Sequence, residues 1–203
     1  MKLFSDRAQA GHLLSQLLED YADRDDVVVM GVTPSGVVVG YEIAQALNLK
    51  LEDAFPVTMH ASGVTKIELP NGEVGFYADS QSVKLANLAR ASKGFLMSAE
   101  NLRDLTDHTV ILVDDCMITG DTMKAAIESL EANGCQNIVV AVPVASETAV
   151  DAILPFVNEV HSLFAASTLE KPDQLYENYP DITPLECGVL LSGSRQSDGL
   201  QKM

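Results

Sequence analysis

Apolar residues in the first part of this chain follow a helical period. After Ser5, the leucine pair at 13–14 is repeated at 17–18, which is the spacing of one face of an amphipathic helix. Serine is a favoured N-cap residue, so the pattern predicts a helix that Ser5 caps and that ends near Tyr21.

Further along, β-branched apolar runs alternate with segments of helical pattern. The runs VVVMGV, TVILVDD and NIVVAVPV are short and bounded by polar or turn-forming residues, as is typical of buried strands. The segments VVVGYEIAQALNL and GDTMKAAIESLEANG follow the first two runs and predict helices, the second closed by Gly134. This alternation predicts an α/β fold with a central parallel sheet flanked by helices and a ligand site at the carboxyl ends of the strands.

The middle of the chain is less regular. A second strand is predicted at 54–59, and Asn71-Gly72 lies between two apolar segments, as in a β-hairpin. Residues 79–100 are polar and weakly periodic. The cations of this segment are Lys84, Arg90 and Lys93. We expect a single domain over residues 1–203, with a hairpin or lid insertion around 60–105.

Composition narrows the class of protein. The chain has 203 residues, 47% of them hydrophobic, without an apolar tract long enough for a membrane span. Its first residues lack a secretory pattern, so we expect a soluble, cytoplasmic protein that does not bind membranes. The cysteines are widely spaced and fit neither a disulfide framework nor a zinc cluster. The formal net charge of −16 argues against a nucleic acid partner, and a phosphate ligand would need local dipoles, cations or a metal ion.

Residues 110–122 carry the candidate chemistry. An apolar run delivers Asp114 and Asp115 to a strand end, and residues 119–122 then form a small-residue loop that opens a helix. Backbone N–H groups and two hydroxyls of such a loop can bind one anion, and two carboxylates can bind vicinal hydroxyls. The arrangement predicts a ribose 5-phosphate site. The alternative is a strand ending in solvated acids before an ordinary helix N-terminus.

Receiver domains of response regulators also contain an apolar strand that ends in paired aspartates. There the pair lies at the start of the chain, and a phosphoacceptor aspartate and a lysine follow at later strand ends. Here the run NIVVAVPVAS ends without an acid. This difference argues against a receiver domain.

The order of residues in 110–122 resembles the phosphoribosyl pyrophosphate signature of the type I phosphoribosyltransferase superfamily. That signature has four hydrophobic residues, two acids, two hydrophobic residues, a variable residue and then Thr-Gly-x-Thr. Upstream, GVTPSGVVVGYEIAQALNLKLE resembles the first strand, pyrophosphate loop and helix of bacterial members with an undefined acceptor, and FSDRAQAGHLLSQLL and LYENYPDITPLEC resemble the same group. The resemblance implies a phosphoribosyltransferase-like fold with a small hood from the terminal segments.

The resemblance also implies an activity. The protein would bind phosphoribosyl pyrophosphate with Mg²⁺ and transfer the phosphoribosyl group to an unidentified nitrogenous acceptor. Asp114 and Asp115 would be catalytic and hold the ribose hydroxyls, so Asp115→Asn should weaken binding or turnover at least about tenfold, or about 1.4 kcal/mol. Mg²⁺ is expected near this pair through substrate and water rather than through direct protein ligands. The implied substrate-binding residues are Thr33, Pro34, Ser35, Gly36, Asp114, Asp115, Ile118, Thr119, Gly120, Asp121 and Thr122.

Three positions depart from the family's pattern. Pro34 stands where the family has Arg or Lys, so the pyrophosphate loop loses a cation and a backbone N–H donor. Asp121 places a carboxylate beside the phosphate loop and is expected to point outward. Ile118 stands where hypoxanthine-guanine enzymes have an aspartate base, which argues against a 6-oxopurine acceptor of that kind.

The change at Pro34 leaves two functions open. A lid lysine or arginine could replace the missing cation; otherwise the chain is a non-catalytic ribose-phosphate-binding or regulatory protein of the same fold. An X-Pro bond prefers trans by only about 0.5 to 1 kcal/mol, so we predict a cis Thr33–Pro34 bond that retains the loop's shape. The sequence does not fix the oligomeric state, and a homodimer is compatible with it.

Overall fold

The computed structural model describes residues 2–54, 64–68, 74–78, 105–132, 134–167 and 169–195. Its strands are β1 (Val27–Gly31), β2 (Lys50–Asp53), β3 (Val64–Glu68), β4 (Val74–Ala78), β5 (Thr109–Val113), β6 (Asn137–Ser146) and β7 (Glu159–Ala166). Its helices are α1 (Arg7–Ser15), α2 (Pro34–Leu47), α3 (Asp121–Ala132), α4 (Glu147–Ile153) and α5 (Pro184–Arg195). Five strands form a parallel sheet in the order β2-β1-β5-β6-β7, which confirms the predicted α/β class.

The central strands are buried on both faces because each face is covered by helices. Along β5, Val110 and Leu112 pack with α3 on one side of the sheet, whereas Ile111 and Val113 pack with α2 on the other. All four side chains are fully buried. Successive side chains of a strand point to opposite faces, so a continuous apolar run is the pattern of a doubly covered strand.

The predicted cap of α1 is one residue too early. Asp6 is the N-cap, and its carboxylate accepts a hydrogen bond from the Gln9 N–H at 2.8 Å. The Ser5 N–H donates instead to the side chain of Gln9 at 2.6 Å. The regular helix ends at Ser15, and a 3₁₀ segment, Gln16–Tyr21, continues it to the predicted end.

The predictions for the middle of the chain have mixed outcomes. The strand expected at 54–59 is placed too late, because β2 occupies Lys50–Asp53, and residues 55–59 lie outside the described part. Strands β3 and β4 pair in antiparallel register, which confirms the hairpin around Asn71-Gly72, although the turn itself is not described. The lid and its cations Lys84, Arg90 and Lys93 also lie outside the described residues.

The length and hydropathy of a helix decide whether it could span a membrane. Among the described helices, none is both long and apolar enough to cross a bilayer.

Candidate active site

The acid pair lies where the order of the strands reverses. From β1 the chain enters β2 on one side, and β5 lies on the other side of β1. In open parallel sheets, such a switch point leaves a crevice at the carboxyl ends of the two strands. Thr33 follows β1 and Asp114 follows β5, so both side chains lie at this crevice.

Thr33 joins the start of α2 to the end of β5. Its hydroxyl oxygen accepts a hydrogen bond from the Gly36 N–H at 2.9 Å, which makes it the N-cap of α2. The same hydroxyl donates to Oδ1 of Asp114 at 2.5 Å. The start of α2 can approach the end of β5 this closely because Gly36 has no side chain. An ideal Cβ there would lie 2.5 Å from the Val113 carbonyl oxygen and 3.0 Å from the Asp114 Cα.

The prediction of a cis Thr33–Pro34 bond is wrong. The part of the chain that the structure describes contains no cis peptide, and Pro34 is the first residue of α2. Proline suits that position because its fixed φ matches a helix and its missing N–H would have no partner within the helix. Residues 34–36, including Ser35, therefore form the first helical turn rather than a separate loop, and that turn still adjoins Asp114.

Asp114 and Asp115 are both buried, with exposed fractions of 8% and 5%. Oδ1 of Asp114 accepts from the Thr33 hydroxyl and from the Asp115 N–H, the latter at 2.9 Å. Oδ2 of Asp115 accepts from the Arg7 Nε at 3.0 Å and from the Tyr179 hydroxyl at 2.8 Å. The pair is thus embedded in hydrogen bonds from both terminal segments of the chain.

Burial and charge alter the acid–base behaviour of the neighbouring groups. Burial lowers the pKa of Arg7, but the hydrogen bond and charge of Asp115 outweigh it and leave that pKa raised. Burial, followed by the charge of Asp115, raises the pKa of Tyr179. Burial, and then the charges of Asp115 and Asp114, raise the pKa of the Cys116 thiol, which disfavours its nucleophilic thiolate form.

The candidate phosphate loop follows directly. Gly120 has a φ of +80°, a conformation that favours glycine, and α3 starts at the next residue. Asp121 is exposed and its carboxylate accepts a hydrogen bond from the Thr119 hydroxyl at 2.8 Å. Buried Ser146, the N-cap of α4, donates to the Ile118 carbonyl oxygen at 2.6 Å and holds the loop on β6.

Sequence reasoning missed the partners of Asp115. Arg7 lies on the buried face of α1 with Ala10, Gly11 and Leu14. A buried arginine requires a hydrogen-bond acceptor, so its position on the apolar face of the helix could have indicated a buried acidic partner. Tyr176 and Tyr179 have no comparable local signal, because their role depends on where the C-terminal segment packs. Ser146 stands out in the sequence only as the end of an apolar run.

Metal ions in proteins are bound mainly by histidine, cysteine and carboxylate side chains. Within the described ranges, no group of three or more histidine, cysteine or carboxylate side chains is arranged to hold an ion. Asp114 and Asp115 offer carboxylate oxygens, which are the kind of protein ligand that Mg²⁺ takes alongside water and substrate oxygens.

A family model and several known proteins are similar to this chain. The family model of the phosphoribosyl transferase domain matches residues 6–154. A Mycobacterium tuberculosis protein provisionally named a phosphoribosyl transferase is 28% identical over 197 residues, covering 88% of this chain and 44% of that protein. The chain thus spans less than half the length of this relative. The bifunctional protein PyrR of Haemophilus influenzae is 30% identical over 117 residues, covering 57% of this chain and 56% of PyrR.

A solved structure shares the fold over nearly its whole length. The crystal structure of TT1426 from Thermus thermophilus is 26% identical and superimposes with a TM-score of 0.64. The match covers 94% of this chain and 98% of the other.

Proposed function

Because the chain belongs to the phosphoribosyl transferase domain family, we propose that it binds phosphoribosyl pyrophosphate and transfers the phosphoribosyl group to a nitrogenous acceptor. The observation that carries this proposal is the position of Asp114. It lies where the strand order reverses and accepts a hydrogen bond from Thr33 at the start of α2. The loop that precedes α3 follows within a few residues. Groups suited to a sugar and to a phosphate are thereby adjacent.

The ribose and its 5-phosphate take different parts of the site. Asp114 and Asp115 hold the ribose hydroxyls, with Asp115 already anchored through Oδ2 to Arg7 and Tyr179. The loop of Ile118, Thr119, Gly120, Asp121 and Thr122 receives the 5-phosphate on its backbone N–H groups, with the hydroxyls of Thr119 and Thr122 as further donors. Binding there requires the Thr119 hydroxyl to leave the Asp121 carboxylate.

The reaction exchanges one bond at ribose C1 for another. A nitrogen of the acceptor forms a bond to C1 as the bond from C1 to the pyrophosphate oxygen breaks; pyrophosphate leaves, and the nitrogen then gives its proton to water. Positive charge develops on the sugar in the transition state, as in glycoside cleavage. The buried carboxylates stabilise that charge because they are fixed in place before the reaction. Mg²⁺, bound through substrate and water near Asp114, would neutralise charge on the leaving pyrophosphate.

A second function is favoured by the start of α2. Thr33, Pro34, Ser35 and Gly36 provide no cationic side chain, and Pro34 lacks a backbone N–H, so this turn offers little to a pyrophosphate. If no lid cation compensates, the chain binds ribose 5-phosphate compounds without turning them over. In that case it is a regulatory or ligand-binding protein of the same fold.

One pair of assays separates the two functions. Titration calorimetry with phosphoribosyl pyrophosphate and Mg²⁺ measures binding, and ³¹P NMR measures pyrophosphate release when a panel of nitrogenous bases is added. The transferase is expected to bind and to release pyrophosphate with at least one base. The non-catalytic protein would bind ribose 5-phosphate about as well as phosphoribosyl pyrophosphate and release nothing.

Variants of the acid pair test the site itself. Asp114→Asn and Asp115→Asn are each expected to weaken binding at least about tenfold, since a neutral amide loses a charge-assisted hydrogen bond. The exposed Asp173→Asn, in the 3₁₀ turn Pro172–Gln174, serves as a charge-matched control. Equal affinity in all three variants and the unmodified protein would exclude this site.

A further inference from the structure

Asp115 is one half of a buried ion pair whose members are about half the chain apart in sequence. Its partner, Arg7, is 108 residues earlier and lies in α1. The side chains of Arg7 and Asp115 are only 5% and 7% exposed, and Nε of Arg7 is 3.0 Å from Oδ2 of Asp115. Removing two charges from water is costly, so the surrounding contacts must compensate for it.

Two tyrosines from the C-terminal segment complete the surroundings of Asp115. The hydroxyl of Tyr179 donates to Oδ2 at 2.8 Å, and the hydroxyl of Tyr176 donates to the Asp115 carbonyl oxygen at 2.6 Å. The two rings stack with centroids 5.3 Å apart. The Arg7 guanidinium lies 3.8 Å from the Tyr179 ring centroid and donates to the Pro180 carbonyl oxygen at 2.8 Å.

These contacts reach Asp114 through the backbone. The N–H of Asp115 donates to Oδ1 of Asp114, the same oxygen that accepts from Thr33. Because the side chain and the carbonyl of Asp115 are both hydrogen-bonded, the position of its backbone nitrogen is restrained. The orientation of the Asp114 carboxylate therefore depends on groups in α1 and in the C-terminal segment.

We infer that Arg7, Tyr176 and Tyr179 are positioning residues for the ribose site, acting through Asp115 on Asp114; this inference rests on the proposed function. Arg7 has an electrostatic effect as well. The positive charge of Arg7 balances the negative charge of Asp115. The negative charge of Asp114 is then the one left uncompensated near a ligand that itself carries several negative charges. Two uncompensated carboxylates would repel a polyphosphate more strongly.

A purely structural role would have a different signature. Buried ion pairs contribute little net stability compared with apolar residues of similar size, and tyrosine hydroxyls are not needed to fill space. If the three residues only held the termini in place, losing a hydroxyl would lower the stability of the fold but leave the affinity of the folded protein unchanged. If they position the acid pair, affinity falls in the folded protein.

Tyr179→Phe is the sharpest variant because it removes one hydroxyl and keeps the ring against Arg7 and Tyr176. The matched control is Tyr21→Phe. Tyr21 lies before β1 and near Glu159 at the start of β7, so its hydroxyl is at the amino ends of the strands, away from Asp115. Arg7→Lys keeps the charge but not the guanidinium fork, and Arg7→Gln keeps neither. Affinity for phosphoribosyl pyrophosphate with Mg²⁺ is measured by calorimetry, and the urea midpoint is measured for each variant.

The expected result is an affinity about tenfold weaker for Tyr179→Phe, consistent with loss of a hydrogen bond to a charged group, and within about twofold of the unmodified protein for Tyr21→Phe. Arg7→Lys should retain part of the affinity that Arg7→Gln loses. If the unmodified protein binds and Tyr179→Phe and Arg7→Lys bind equally well, the inference is overturned while the proposed function stands. If the unmodified protein binds neither phosphoribosyl pyrophosphate nor ribose 5-phosphate, the proposed function fails and the inference is overturned with it.

Discussion

Thr33 uses one hydroxyl for two purposes. Its oxygen accepts the Gly36 N–H at 2.9 Å and caps α2, while its hydrogen is donated to Asp114 at 2.5 Å. A single side chain thus couples the start of a helix to the acid pair at the neighbouring strand end. Stability and ligand binding should respond together when that hydroxyl is removed.

Thr33→Val replaces the hydroxyl with a methyl group of similar size. Loss of the cap should lower the free energy of unfolding by about 1 kcal/mol. Loss of the bond to Asp114 should weaken phosphoribosyl pyrophosphate binding by roughly tenfold, the usual effect of removing a hydrogen bond to a charged group. Urea denaturation and calorimetry give the two values. Thr33→Ser retains the hydroxyl and is the control; identical behaviour of the valine and serine variants would show that the hydroxyl is not used.

At this scale, the sequence predicted the residues that belong to one local motif. Asp114, Asp115 and the loop around Gly120 follow one another along the chain, so their proximity could be predicted. Arg7 and Tyr179 reach Asp115 across 108 and 64 residues, and no local pattern encodes such a pairing. The cap of α1 is predicted one residue too early for a different reason, since Ser5 and Asp6 are both good N-cap residues and only backbone geometry distinguishes them.

At the scale of secondary-structure elements, the close packing of α2 against the end of β5 determines where Thr33 meets Asp114. Gly36 packs against the Val113 carbonyl and Asp114 without a side chain between them. An added methyl group has no room, because the neighbouring atoms are backbone and cannot move aside independently. The helix or the strand end would have to shift.

Gly36→Ala is therefore expected to destabilise the fold by about 1 to 3 kcal/mol, the usual cost of overpacking, and to weaken ligand binding. Gly188→Ala is the matched control. Gly188 is exposed in α5 and nothing lies within 4 Å of an added Cβ, so this change should stabilise the helix by roughly 0.5 to 1 kcal/mol. Chemical denaturation of both variants tests the contrast, and a stabilising effect of Gly36→Ala would contradict the packing described here.

Helix α5 begins with a reciprocal cap. The carboxylate of Glu186 accepts from the Thr183 hydroxyl and N–H at 2.7 and 2.8 Å, and the Glu186 N–H donates back to the Thr183 hydroxyl at 3.2 Å. The side-chain and then the backbone hydrogen bond of Thr183 lower the pKa of Glu186 below its ordinary value. A lowered pKa in the folded state means that the ionised form is stabilised by folding.

The contribution of this cap should therefore depend on pH. It is present in full above the ordinary pKa of 4.5 and is lost as pH falls through the lower folded value. The difference in melting temperature between the unmodified protein and Glu186→Gln should be largest near about pH 7 and should shrink as pH falls below 4.5 and through the lower folded pKa. The exposed Glu177→Gln gives the effect of a charge change outside a cap. A difference that does not vary with pH would rule out the ionised cap.

The elements that the sequence predicted well are those with a strong period or a long apolar run. β1, β5, β6, α3 and the β3–β4 hairpin fall where expected. The start of α2 was missed because Thr33-Pro34-Ser35-Gly36 contains turn-forming residues that suit a cap and first helical turn equally well. β7 was not predicted, and it lies at the sheet edge, where only partial burial leaves no continuous apolar run.

Over the whole molecule, charge is the dominant physical feature. The formal net charge is −16 over 203 residues, and like charges repel more strongly in the compact state than in the unfolded chain. Added salt shortens the screening length from about 30 Å at 0.01 M to about 3 Å at 1 M. Self-repulsion of the folded protein should weaken accordingly.

Raising the NaCl concentration from about 0.01 M to about 0.5 M should therefore increase the melting temperature. Scanning calorimetry gives the value. Choline chloride at the same ionic strength distinguishes screening from specific binding of sodium, since screening depends on ionic strength alone. A melting temperature that falls with both salts would mean that attractive surface ion pairs such as Arg24–Asp26 outweigh the net repulsion.

The central claim is that phosphoribosyl pyrophosphate occupies the crevice between the carboxyl ends of β1 and β5. The most direct measurement is a ¹H–¹⁵N NMR titration with phosphoribosyl pyrophosphate and Mg²⁺. Ligand concentrations up to about 5 mM detect binding even when the dissociation constant is about 1 mM. Saturating shifts are predicted for the amides of residues 119–122, Asp115 and Gly36, with α5 unaffected. Absence of shifts at these amides, or saturating shifts confined to another part of the protein, would contradict the account.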